Sequence, residues 1–293
     1  MMNILGVLPY WTLGPWDLGP LTIHSFGLMV ATGLITGFTL AGKRGERVTG
    51  VPAEEFHNFG LWLLAIGWFF SHVFAVLFYS PHEVLENPLV LLKVWGEISS
   101  YGGIMGGIIA VFIWHRRNPK RNLLDWANTA AFGLPFCYFF GRVGCALVHD
   151  HPGVNAEGFW LWETIRGVFG ESLPEVWPLA MEFPDGVLRH DLGFYEAIWW
   201  IFLVAFVLIA DRKPRRRGFY LWTLPLLYAP VRFALDFLRI GDATYFGLTP
   251  AHYISVATFA LGIYLWSRFR NLEVEEWATK SPSPPVAKGK TEA

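Results

Sequence analysis

Arg142 lies inside an otherwise apolar run, followed three residues on by Cys145, and the run ends in the polar sequence His149-Asp150-His151-Pro152-Gly153. A guanidinium where hydrocarbon is expected is costly, and it marks a place where something anionic binds or reacts. Arg142 reads either as half of an ion pair that packs the bundle, or a snorkelling anchor, or as a fixed cation for a lipid phosphate, whose oxygens a guanidinium grips through two parallel N–H donors. Arg232 stands in a later apolar run, with Asp236 and Arg239 at spacings of four and three. On a helix these three share a face, and an Arg232–Asp236 ion pair is expected. Arg142 and Arg232, on different helices, would cradle a phosphodiester between them. Arg239, nearer the end of its run, joins them or snorkels to the surface.

His149, Asp150 and His151 are residue types that bind metals, and His190-Asp191 offers a second such pair. Consecutive residues seldom all point at one ion, however, and the Pro-Gly that follows predicts a turn. No metal and no cofactor is expected. The carboxylate and imidazoles beside Arg142 are read as groups for hydrogen bonding or proton transfer. Cys145 shares Arg142's helical face and reads as a small buried hydrophobe. In Tyr101-Gly102-Gly103-Ile104-Met105-Gly106-Gly107, glycines four apart predict close contact between two helices. Tyr101 is either an interfacial tyrosine or a group that donates a hydrogen bond or passes a proton. Glu196 most simply pairs with an arginine, and His24 and His72 read as core histidines.

The elements that position these groups belong to a membrane protein. The 293-residue chain is 53% hydrophobic, 17% aromatic and 16% charged, against roughly 25% charged for a soluble domain. Its net charge of −1 says little, because placement of charge matters more than its sum. Cys137 and Cys145, eight residues apart on one helix, would be about 12 Å apart, too far for a disulfide. The N-terminus, with Pro9, Pro15 and Pro20 and no basic stretch, does not read as a cleavable signal peptide.

Seven apolar runs, near 21–42, 57–79, 98–115, 122–147, 191–210, 218–239 and 249–267, are read as long enough to span a bilayer core, which needs about 20 residues per helix. Basic clusters follow every second run: Lys43, Arg44 and Arg47; Arg116, Arg117, Lys120 and Arg121; Arg212 through Arg217; Arg268 and Arg270. The positive-inside rule puts these clusters in the cytoplasm. The expected fold is therefore an all-α membrane protein of about seven transmembrane helices, N-terminus outside and C-terminus in the cytoplasm. Residues 1–20 form an extracytoplasmic arm and 21–267 the transmembrane domain. Within the latter, 149–190 is a small extracytoplasmic cap rich in Trp and Pro, and 268–293 is a disordered cytoplasmic tail.

The order of these segments resembles the prolipoprotein diacylglyceryl transferase family of bacterial inner membranes, over about residues 20–265. Gly141-Arg142-Val143-Gly144 and Gly153 are similar to the two ends of the family signature Gly-Arg-x-Gly-Asn-Phe-x-Asn-x-Glu-x-x-Gly. Ile23 through Met29 resembles the entry to the first span. Trp95 through Gly103 resembles the Gly-Gly-Met-Ser-Phe-His-Gly-Gly motif, and Pro178 through Glu196 a later Phe-Pro and Arg-His region. Tyr228, Arg232, Asp236, Arg239 and Asp242 resemble the family's sixth-span pattern.

The resemblance implies transfer of the diacylglyceryl group of phosphatidylglycerol to the thiol of a lipobox cysteine in a secreted preprotein, with release of glycerol phosphate. The implied partners are phosphatidylglycerol and prolipoproteins, not nucleic acid, and the implied place is the bacterial inner membrane. Arg142 and Arg232, with Arg239 beside them, would hold the phosphate. Asp150, with His149 or Tyr101, would assist thiol deprotonation. Gly102, Gly103, Gly153, Asp236 and Glu196 would support the site. The nucleophile arrives with the substrate, so the enzyme needs neither a metal nor a cysteine of its own.

Departures from the family pattern are specific. Tyr101 stands for the motif histidine, Cys145 and Val148 for the two asparagines, Asp150 and Asp236 for glutamates, and Phe26 for a tyrosine. They leave two other readings open. One is a paralogue acting on another lipid or acceptor, possible with metal help, through His149, Asp150, His151 and His190. The other is a non-catalytic lipid-binding membrane protein.

Overall fold

The computed structural model describes residues 7–277 other than 80, 94, 95, 97, 171, 172, 242 and 243, without the side chains of 21, 78, 79, 81, 100 and 101. In chain order the helices are α1 (Ser25–Thr49), α2 (Ala53–Tyr79), α3 (Pro81–Glu86), α4 (Ser100–Arg117), α5 (Leu123–Val148), α6 (Trp160–Phe169), α7 (Leu192–Ala210), α8 (Phe219–Asp236) and α9 (Pro250–Phe269). Each of the seven apolar runs contains a helix; α3 and α6 are short additions between them. Ser25–Thr49, Ala53–Leu77, Leu123–Val148 and Leu192–Ala210 are long and apolar enough to cross a membrane. The other three fall short of that test, α8 carrying Arg232, Asp236, Pro225 and Pro230.

Helix ends follow local chemistry rather than the edge of the apolar stretch. α1 continues through Lys43, Arg44 and Arg47 to Thr49, since these residues are good helix formers and the stop comes at Gly50, with φ 70°. Glycine tolerates that left-handed conformation after a helix. α8 is shorter than expected. It ends at Asp236, so Arg239 is not on the helical face of Arg232: its backbone bridges to Gly153, and the Leu238 carbonyl accepts from the Val154 amide at 2.8 Å.

Among the described residues, five short strands depart from an all-helical reading. β1 (Trp16–Leu18) and β2 (Leu21–Ile23) form a hairpin in the N-terminal arm. β3 (Pro152–Asn155), β4 (Ala180–Glu182) and β5 (Leu188–Asp191) form an antiparallel sheet with β5 central, Ala180 opposite His190 and Pro152 opposite Asp191. The β4–β5 turn is Phe183-Pro184-Asp185-Gly186, with Gly186 at φ 75°. Pro presets the turn's φ and Gly takes its left-handed position. Strands of three or four residues carry too little alternation to announce themselves in sequence.

The chain divides into two compact units, Met1–Gly37, Leu134–Lys213 and Phe219–Asn271 forming one, and Phe38–Gly133, Pro214–Gly218 and Leu272–Ala293 the other. The second has an aromatic core. Phe56 stacks on Trp126 at 4.0 Å, Trp114 lies 4.1 Å from Trp126, and Phe59 meets Trp126 edge-on at 5.3 Å and Trp114 at a tilt at 4.8 Å. In the same unit α2 and α4 approach closely through one of the two glycine pairs. A Cβ at Gly102 would lie 2.5 Å from the Phe70 carbonyl oxygen, and one at Gly106 would lie 2.9 Å from the Gly67 Cα. Gly103 makes only ordinary contact and Gly107 none.

α9 runs to Phe269, and residues just beyond it are packed. Glu275 is buried against Arg44 at 2.5 Å and accepts from Asn128 at 2.8 Å. Val274 bridges to Arg216. Arg44, counted above among the cytoplasmic cations, is thus a buried, paired charge. Arg217 likewise makes a two-point bridge to Asp125. Residues 278–293 of the expected tail lie outside the described residues.

Candidate active site

Within the first unit, Glu196 on α7 gathers charges from α5 and α8. Its Oε2 lies 3.0 Å from Arg142 Nε, its Oε1 accepts from Arg232 Nη1 at 2.7 Å, and Tyr228 donates its hydroxyl to Oε2 at 2.8 Å. Arg232 also meets Asp236 at 2.9 Å. Tyr228, Arg232 and Asp236 recur at intervals of four, which sets them on one face of α8. Trp200, four residues after Glu196 on α7, stacks on Tyr138 of α5 at 4.9 Å and lies 4.8 Å from Tyr228 of α8. That aromatic layer holds the three helices that supply the charges.

Asp236 is fully buried and has a second set of partners from the start of α9. Thr249 donates its hydroxyl to Asp236, and His252 Nδ1 lies 3.4 Å away. Thr249 and His252 form the capping box of α9, with the Thr249 amide donating to His252 Nδ1 at 3.1 Å. The sequence signal for this layer was Thr249-Pro250, a helix start, but its junction with Asp236 depends on the packing of α8 on α9.

The polar end of α5 sorts its two histidines. His149 adopts φ 50°, the left-handed conformation that closes a helix C-terminus. Its buried ring shares a proton with Asp191, Nδ1 to Oδ2 at 2.5 Å, and Nε2 donates to the Trp11 carbonyl at 3.0 Å. Tyr10 stacks on it at 4.2 Å. Asp191 also caps α7, accepting from the Phe194 amide at 2.8 Å. Both ring nitrogens of His149 are therefore engaged in tying the N-terminal arm, α5 and α7 together.

His151 turns the other way. Its Nδ1 bonds Asp150, and its Nε2 lies 3.5 Å from Arg142 Nη1. The same Nη1 is 3.8 Å from Cys145 Sγ. Ligand-type atoms of Cys145, Asp150 and His151 lie within 4.8 Å of one another, but a metal ion entering there would meet the fixed charge of Arg142.

His190 is fully buried. Its Nδ1 donates to the Tyr195 hydroxyl at 2.8 Å, while Tyr195 donates to the Leu179 carbonyl at 3.1 Å and accepts from Trp177 at 2.9 Å. Burial pushes the His190 imidazole down to about 4. Gly153 is needed where it stands, since a Cβ there would lie 2.9 Å from both the His190 and Leu238 carbonyl oxygens. A cleft of about 220 Å³ beside the arm is lined by Thr12, Leu13, Gly14, Pro15, His24, Ser25 and Val148.

The structure thus brings Arg142, Arg232, Glu196 and Asp236 together, with Asp150 and His151 at the Arg142 end. At the edge of the sheet the backbones of Arg239 and Gly153 pair, and the His149 ring bonds Asp191 and the Trp11 carbonyl. Gly102 and Gly103 lie in the other unit on α4 with Tyr101, whose side chain is outside the described residues, as is Asp242. Tyr228 and Thr249 join the charged layer without having been candidates for chemistry.

The prolipoprotein diacylglyceryl transferase family model matches residues 15–268. A phosphatidylglycerol–prolipoprotein diacylglyceryl transferase of Stenotrophomonas maltophilia strain R551-3 is 30% identical over 289 residues, covering 92% of this chain and 94% of that protein. One from Xanthomonas campestris pv. campestris strain B100 is 28% identical over 94% of this chain and 95% of its own length. One from Tolumonas auensis is 26% identical over 87% and 95%. The chain belongs to the prolipoprotein diacylglyceryl transferase family.

Proposed function

We propose that this chain transfers the diacylglyceryl group of phosphatidylglycerol to the lipobox cysteine thiol of prolipoproteins, as a seven-span protein of the bacterial inner membrane. The family match over residues 15–268 and relatives bearing that activity in their names support the reaction. The alternation of basic connections along the sequence supports an outside N-terminus and cap and a cytoplasmic C-terminus.

The observation that carries the site assignment is the pairing of two arginines, from different helices, on the one carboxylate of Glu196. Glu196 holds both guanidiniums in place before substrate arrives, so no reorganisation is needed as charge develops on the leaving phosphate. Arg142 is the better-placed entry point. Its Nη1 has only long contacts, to a thiol and an imidazole, and a phosphate oxygen is a stronger acceptor than either. Arg232, held by Glu196 and Asp236, supplies the second positive charge. The acceptor thiol comes from the preprotein.

Purified full-length protein with phosphatidylglycerol micelles and a lipobox peptide tests this reading through Arg142→Ala. The loss of a phosphate-holding donor is expected to cost about 3 kcal/mol, roughly 100-fold in rate. The double variant Arg142→Ala/Glu196→Gln removes the buried carboxylate's unmet charge and separates folding from chemistry. Transfer at the wild-type rate by Arg142→Ala would sink the phosphate role. Transfer from another headgroup with none from phosphatidylglycerol would establish the paralogue instead.

A further inference from the structure

We propose that His151, oriented by Asp150, is the general base that removes the proton of the acceptor thiol. This rests on the transferase reading above. A free thiol is only a few per cent thiolate near neutral pH, so lipid transfer to a cysteine gains from a base within reach of the phosphate site.

Among the described groups of this unit near the charged layer, most candidates are already committed. Glu196, 1% exposed, spends both oxygens on Arg142, Arg232 and Tyr228. Asp236, fully buried, faces Arg232, Thr249 and His252. His149, 2% exposed, is held at both nitrogens, and its partner Asp191 is fully buried. The pair Asp150–His151 differs: their side chains are 40% and 19% exposed. An incoming peptide can reach them.

The contacts also fix the tautomer. Arg142 has only donors, so its 3.5 Å approach makes His151 Nε2 the acceptor. The proton is then on Nδ1, which donates to Asp150. A carboxylate behind one ring nitrogen, and on the other a lone pair met only by this long contact, is the arrangement by which an imidazole is held as a base. The groups facing it are Asp150, Arg142, Cys145 and, in electrostatic range, Glu196. His149 fixes the place of the whole turn: locked between Asp191 and Trp11, it anchors the residues between which Asp150 and His151 emerge.

The step balances without a further reactant. The thiol proton passes to His151 Nε2 as sulfur attacks the glyceryl carbon. The new S–C bond forms as the C–O bond to phosphate breaks, and that electron pair leaves on the glycerol phosphate oxygen beside Arg142. The imidazolium then returns its proton to the released phosphate or to water. With the leaving oxygen bonded to Arg142, a thiol about 3–3.5 Å from Nε2 can lie on the far side of the reacting carbon.

The test compares wild type and His151→Gln, full length in phosphatidylglycerol micelles, with two acceptor peptides carrying cysteine or selenocysteine. A selenol is ionised at neutral pH and needs no base. With the cysteine peptide, His151→Gln should lower kcat by about 10²–10⁴-fold, leave the KM for phosphatidylglycerol unchanged and abolish the acid limb of the kcat/KM profile. With the selenocysteine peptide it should regain most of the wild-type rate. Unchanged kcat with the acid limb intact would overturn the assignment. So would an equal loss on both acceptors in a variant whose circular dichroism and thermal midpoint match wild type. A wild-type protein inactive on both peptides would overturn the transferase reading itself, a distinct failure.

Discussion

Glu196 Oε2 stands 3.0 Å from Arg142 Nε, in a site where Glu196 is 1% exposed and Arg142 15%. The carboxylate on α7 joins a cation on α5 to another on α8. Its substitution by glutamine should leave two buried guanidiniums short of a charge, at a cost of about 3–5 kcal/mol. Thermal unfolding in detergent measures this, and a midpoint equal to wild type would show that the arginines are held by something else.

The His149–Asp191 pair predicts a loose N-terminal arm when it is broken. In His149→Ala, the Trp11 carbonyl and Tyr10 ring lose their partner, and Asp191 stays buried with its side chain bonded only to the α7 amide. Limited proteolysis should cut near Trp11 faster than in wild type. An unaltered cleavage rate would assign the arm's attachment to its other contacts.

Burial of His190 predicts lost stability in acid. Its pKa lies at about 4 in the fold, below the value of about 6.5 for a free imidazole. Above the free value both states are neutral and the contribution is complete. As pH falls between the two values the unfolded chain takes up a proton that the folded one refuses, so stability declines and the loss is complete below about 4. Unfolding midpoints measured from pH 7 downward should fall less steeply in His190→Asn than in wild type.

Two glycines of one motif predict opposite outcomes. Gly102→Ala drives a Cβ to 2.5 Å from the Phe70 carbonyl oxygen and from Phe74 Cβ, so α2 and α4 must separate, at about 1–3 kcal/mol. Gly107→Ala meets nothing within 4 Å and should stabilise by up to about 1 kcal/mol through helix propensity. Paired thermal melts decide it. The same sign for both would contradict the packing described for α4.

Glu275 predicts a stability role for a segment after the last helix. Glu275→Ala takes away the carboxylate that stands 2.5 Å from the buried Arg44 guanidinium and should cost about 3–5 kcal/mol. Replacing both partners, in Arg44→Met/Glu275→Ala, should recover most of that loss, because the desolvated charge is gone. A double variant as unstable as the single would mean that the ion pair is not the source.

The sequence alone was enough for the seven long helices and for the types of the charged residues at the candidate site. Apolar runs determine where helices form, because the backbone bonds that make a helix are local and a long apolar stretch has few alternatives. It was enough, too, for the Arg232–Asp236 pair, which lies one helical turn apart. Glu196's choice of partners was legible only as "an arginine": that it takes two, from helices 54 positions apart on one side and 36 on the other, depends on packing. Short strands, the buried Arg44–Glu275 pair across 231 positions and the burial of His190 were likewise decided by contacts that periodicity does not encode.

The separation of His149 from His151 shows the same boundary at a single turn. As sequence, His149-Asp150-His151 offers two equivalent imidazoles beside a carboxylate. Tertiary structure makes them different. A left-handed backbone at His149 and an acceptor on either side of its ring bury that histidine, while His151 faces Arg142. Residue types set what chemistry was available after Arg142. Which imidazole keeps an accepting nitrogen was settled by the acceptors that α7 and the N-terminal arm bring to the other.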